Sequence, residues 1–173
     1  MNFQFYIEKL KNSESFKKFI AENKDAFPCS GFFVIEFSKS DHPDNKQHFD
    51  YFVPSKKKMF SFKLEEDCRI VPIEIIGNTE LIPISLNHEF NFDDIANLIA
   101  KRMKKDSITN EVQKILISMQ NKDKKDYLVG TVFISNFGLI KVNIDLNKMK
   151  ITDFEKKSFF DMLKIVKKGE DKK

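Results

Sequence analysis

Apolar residues recur at Phe3, Tyr6, Ile7 and Leu10, the i, i+3, i+4, i+7 spacing of one helix face. Phe16, Phe19 and Ile20 repeat that spacing but fall on a different side of a continuous wheel. A break is therefore predicted at Asn12-Ser13, either of which can cap a second helix. Pro28 closes the helical region, and from Gly31 the period drops to two. GFFVIEFSK (31–39) and HFDYFVP (48–54) form a predicted hairpin, and KMFSFKLE (58–65) a third strand with Phe60, Phe62 and Leu64 at alternate positions. CRIVPIEII (68–76) supplies a fourth strand that Pro72 either breaks or confines to an edge.

After the turn at Gly77-Asn78, LIPISL with Pro83 leads through Asn87 to NFDDIANLIAKRMKK (91–105). There Phe92, Ile95, Ile99 and Met103 make a helical stripe, with acids in the first turn and lysines crowding the last, the order that suits the helix dipole. EVQKILISMQ, YLVGTVFIS and LIKVNIDL then predict three strands joined through NKDKKD and through Asn136-Phe137-Gly138. A final helix is predicted from Asp153 to about Val166 on Phe154, Phe159, Met162, Leu163 and Val166, ahead of a charged tail. Both halves thus share one order of elements. The expected fold is α+β: two helix-plus-antiparallel-meander units, residues 1–80 and 81–173, with a C-terminal helix, sharing one sheet or packing two small ones.

Within the second unit, Asp93 to Lys150 resembles a PepSY-like module, in which one helix precedes an antiparallel meander ending in a strand with an Asp and a turn. KVNIDLNKMKI stands where that ending falls. The Thr-Gly that usually follows the Asp is replaced here by Leu146-Asn147-Lys148. The resemblance implies a noncatalytic regulatory, inhibitory or accessory role, and no functional residue is carried over from it.

Composition narrows the picture. At 173 residues and 41% hydrophobic content the chain can bury a core, and 19 Phe against 5 Gly and 5 Pro indicate regular elements with short connections. Of the 30 basic residues only Arg69 and Arg102 are arginine. With abundant Asn, Ile and Phe, this is the imprint of an AT-rich microbial genome. It also argues against base readout, because lysine is a point charge without the planar fork of arginine. No apolar run approaches a membrane span, and MNFQFYIEKLKNSE carries charge where a secretory segment is apolar, so a cytoplasmic chain without membrane contact is expected. Cys29 and Cys68 lack CxxC spacing and are expected as free thiols.

Candidate chemistry is sparse. SDHPDNKQHFD (40–50) offers His42 and His48 with Asp41, Asp44 or Asp50 as metal ligands, but Pro43-Asp44-Asn45 is turn chemistry, and a solvated hairpin tip is the expectation. His88-Glu89 lacks the second histidine of a HExxH site, and is expected near a helix cap. GxSxG, Walker A and GxGxxG motifs are absent from the sequence, and neither a catalytic residue nor a cofactor is assigned. Lys56, Lys57 and Lys58 beside Phe60 and Phe62 make a candidate contact surface for single-stranded nucleic acid. Other lysine clusters lie at Lys104-Lys105, Lys122 to Lys125 and Lys167-Lys168. Adjacent aromatics of opposite parity, Phe32-Phe33 and Tyr51-Phe52, put apolar groups on both faces of the sheet, so helices, a second copy or a partner must cover the second face. A noncatalytic protein-interaction or self-assembly module is the expected function, with a nucleic-acid binder as the alternative.

Overall fold

The computed structural model describes residues 2–37, 43–65, 67–75 and 80–158. It opens with two helices that meet at one residue. In α1 (Phe3–Asn12) the Asn2 side chain accepts the Gln4 N–H, and Phe3, Tyr6, Ile7 and Leu10 are buried. Ser13 ends α1, where its N–H reaches the Leu10 carbonyl, and caps α2 (Glu14–Glu22), where its hydroxyl accepts the Phe16 N–H. One serine thus turns the chain so that the second stripe faces the same core from a new direction.

Four strands follow: β1 (Phe27–Glu36), β2 (Lys46–Val53), β3 (Lys58–Lys63) and β4 (Arg69–Ile73), with a short 3-10 turn at Pro54–Lys56. The second unit contributes α3 (Phe92–Lys105), β5 (Val112–Lys122), β6 (Lys125–Ile134), β7 (Gly138–Asp145) and β8 (Lys150–Ser158). All eight strands join one antiparallel sheet in the order β4-β3-β2-β1-β5-β6-β7-β8. Each unit is thus a meander, and the two are sewn together at β1–β5, from Gly31 opposite Met119 to Glu36 opposite Lys114. The structure accordingly has a single shared sheet. Pro72 lies in β4 at one edge, where its missing N–H costs no ladder bond.

Two expectations are corrected, the C-terminal helix and the start of β1. Residues 153–158 do not open a helix; they are the second half of β8, paired along β7 from Asp145–Lys150 to Gly138–Ser158. Of the stripe that predicts the helix, Phe159, Met162, Leu163 and Val166 lie outside the described residues. Within β8 a register shift opposite Asn143 and Ile144 hides the alternation. LIPISL leads to α3 as expected: residues 80–90 cross the core side as an extended segment tied by the Ile84 N–H to the Pro28 carbonyl. Finally, β1 starts at Phe27 and runs through Pro28, with a bulge at Cys29 absorbing the interruption.

One face of the sheet carries the core. Phe33 packs on Phe3 and Phe92, Phe62 on Phe16 and Phe19, and Ile115, Ile117, Met119, Val132 and Ile140 extend the layer across the second unit. Among the described residues, all three helices stand on this face. Strand parity divides the adjacent aromatics: Phe33 and Tyr51 point into the core, while Phe32 and Phe52 point to the other face.

Candidate interaction surface

The second face is built from the residues between the core positions. Phe32, Leu116, Val129 and Phe133 lie there, with Ser118, Thr131, Lys141, Asn143 and Asp153 among them, as the cross-strand register fixes. Among the described residues no helix packs against this face, and Val129 at its centre is 38% exposed. A depression of about 450 Å³ runs over β1, β5, β6, β7 and β8, floored by Phe32, Leu116 and Val129 and edged by Thr131, Lys141 and Asn143. A second, of about 750 Å³, opens beside it around Phe37, Lys114 and Phe133. Both mix aromatic or aliphatic floors with a few adaptable polar groups, the make-up of a protein-contact surface.

On the first unit this face holds an acid in a polar row. Ser30 and Ser61 flank Asp50 across β1, β2 and β3, and their hydroxyls bond to its carboxyl. Burial nonetheless pushes Asp50 above the usual carboxylate range, against the lowering pull of those bonds, His48 and Lys63. His48 sits 2.5 Å from Glu65 and packs its ring against Phe32. Cys29 donates to the Asp50 carbonyl, and burial pushes its thiol up to about 12. Cys29 and Cys68 are both unpaired and buried.

The histidine-rich tract is placed in part. Asp41 and His42 lie outside the described residues, while Asn45 and Asp44 close the tip on Glu36 through its backbone and carboxylate. Among the described residues no group of three His, Cys, Asp or Glu side chains is arranged to hold a metal ion. His88 is engaged elsewhere: its Nε2 lies 2.7 Å from Asp126, whose carboxyl also accepts the Ser85 N–H and the Asn121 amide. Asp126 is 5% exposed, and the cluster clamps the crossover segment onto the β5–β6 end of the sheet. Sequence reasoning missed it because its members lie 38 residues apart, with no motif to join them.

The proposed nucleic-acid set divides. Lys56, Lys57 and Lys58 are exposed at the β2–β3 turn. Phe62 is fully buried under α2, and Phe60 is partly buried against Phe19 on that same helix-covered face. The two rings are core residues, not a stacking platform. The alternation gave their shared face, but not that the helices cover it.

No protein-family model matches the chain, and no curated protein matches it. Among solved structures it is similar to a putative lipoprotein from Clostridium difficile 630, with a TM-score of 0.55 and 10% identity, over 83% of this chain and 91% of that one. At that identity the likeness is one of fold. Among the described residues no helix is long and apolar enough to cross a membrane.

Proposed function

We propose that the protein is a noncatalytic, cytoplasmic interaction module that binds a protein partner across the second face of its sheet. One observation carries this: among the described residues the eight-stranded sheet has its helices on one side, and the opposite side offers apolar floors among small polar groups. Seven strand spacings of about 4.8 Å by eight residues of about 3.3 Å give a face near 900 Å². That is about the 800 Å² per partner of a standard-size interface. The helix-then-meander order on which the PepSY-like resemblance rests supports a regulatory or inhibitory role. Two unpaired cysteines suit a reducing compartment.

The test is affinity capture from nuclease-treated host lysate with the wild-type chain and with a Val129→Arg/Thr131→Arg variant. Both positions face away from the core, so the variant folds. A stoichiometric protein partner that the wild type retains and the variant loses supports the reading. Equal recovery by the two, or none by either, removes it.

A further inference from the structure

The antiparallel β1–β5 seam fixes which turns share an end of the sheet. The β2–β3, β5–β6 and β7–β8 turns all fall on one rim. They bring together Lys56, Lys57 and Lys58, then Lys122, Lys124 and Lys125, then Lys148 and Lys150, every one exposed. The exposed acids on this rim are Asp123 in the β5–β6 turn, Glu74 just past the Met59–Ile73 pair at the end of β4, and Asp25, whose carboxylate is occupied by the Ser55 N–H and hydroxyl. The opposite rim is of the other character: Glu36, Asp44 and Glu65 lie there, contacting Lys114, Lys46 and His48.

Two of the basic tips hold lysine in the left-handed region, Lys57 at φ 49° and Lys124 at φ 62°. Gly or Asn is the relaxed choice at such positions, and in a two-residue hairpin turn like Asp123-Lys124 the second place favours Gly strongly. The chain keeps a long cation there instead.

We propose that this rim binds double-stranded nucleic acid through its phosphates, without reading sequence. The three tips are separated by three and then two strand spacings, a row of about 24 Å. At 3.4 Å per base pair that row follows about seven pairs of duplex. Lysine supplies point charges suited to phosphate and poorly suited to base edges. Single strands are held largely by ring stacking, and the rings beside Lys58 are in the core. Membrane surfaces are held by charge combined with inserted apolar side chains. The tips present no exposed large apolar residue, since Leu146 is buried and Met149 half-buried.

The experiment is fluorescence anisotropy of a labelled 20-base-pair duplex, its isolated strand, and vesicles with 30% phosphatidylserine, between 50 and 200 mM KCl. Duplex binding should fall steeply with salt, with a log–log slope no steeper than about −7 if all eight lysines meet phosphates. The variant Lys122→Gln/Lys124→Asn/Lys125→Gln keeps a residue tolerant of positive φ at 124. It should weaken duplex binding at least tenfold and flatten the slope by about 2.7. Lys104→Gln/Lys105→Gln, at the C-terminal end of α3, should leave binding unchanged. The proposal is overturned by no duplex binding at 50 mM salt, by preference for the single strand or the vesicles, or by equal losses in the two variants.

Discussion

Replacing Asp126 with Ala should destabilise the fold by about 3–5 kcal/mol. The carboxyl accepts three contacts, from the Ser85 N–H at 2.9 Å, the Asn121 Nδ2 at 2.7 Å and the His88 Nε2 at 2.7 Å. Truncation leaves a backbone N–H, an amide and an imidazole facing a hole at a site only 5% exposed. Each buried group stranded in this way costs about 1–3 kcal/mol, and partial relaxation keeps the total below the simple sum. Asn121 already has one buried oxygen without a partner, so it has no alternative bond to fall back on. Asp126→Asn should cost less, because Asn121 can turn its amide and present that oxygen to the new NH2. The assay is urea unfolding at 25 °C, with amide hydrogen exchange of Ile84 and Ser85 reporting whether the crossover segment loosens ahead of the sheet. A loss under about 1 kcal/mol for Asp126→Ala, with exchange unchanged, would refute the view that this cluster clamps the crossover.

Asp50→Asn should stabilise the protein at neutral pH. Burial raises the folded-state pKa of Asp50, so its protonated form favours the fold, and that contribution is lost as pH rises from the unfolded value near 4 through the raised one. The gap in Tm between variant and wild type should widen over that window and then level off; a gap independent of pH would contradict it. Cys29, pushed up to about 12, and Cys68, also raised by burial, should resist Ellman's reagent in the native protein at pH 8 and react fully in guanidinium. Rapid native labelling would show that these sites open. Gly130→Ala should cost about 1–3 kcal/mol, because the new Cβ would stand 2.7 Å from the Leu116 backbone oxygen. Gly138→Ala would put its Cβ 2.6 Å from Cγ1 of the buried, branched Ile134 and should cost a similar amount; a denaturant midpoint unchanged in either variant would refute this.

Much of the local structure was legible because period and capping act within a few residues. The stripes of α1 and α3 and the turn at Ser13 emerged as read, and of the two readings of Pro72, a broken strand or an edge, the structure has the edge. What failed depended on pairing. Alternation showed that Phe60 and Phe62 share a face, but which face the helices cover is settled by α2 packing on Tyr51 and Phe62. In β8 only Ile151 and Phe154 turn to the core, and the register shift between them breaks the alternation, so the ladder with β7 is what makes these residues a strand. Lys56 to Lys58 and Lys122 to Lys125 were each visible at a turn, yet their common rim, which also takes in Lys148 and Lys150, requires knowing that β1 and β5 run antiparallel.

That same seam has a consequence for biosynthesis. When the first unit leaves the ribosome, β1 has β2 on one side and nothing on the other until β5 emerges. At 5–20 residues per second, the stretch from Glu36 to Lys122 takes about 4–17 s to translate. Through that interval the nascent chain carries an unpaired strand, FFVIE among it, whose ladder groups are as ready to pair with a neighbouring chain as with their own. The most interior strand of the finished sheet is thus the most hazardous edge of the unfinished one, and chaperone dependence during synthesis should concentrate there.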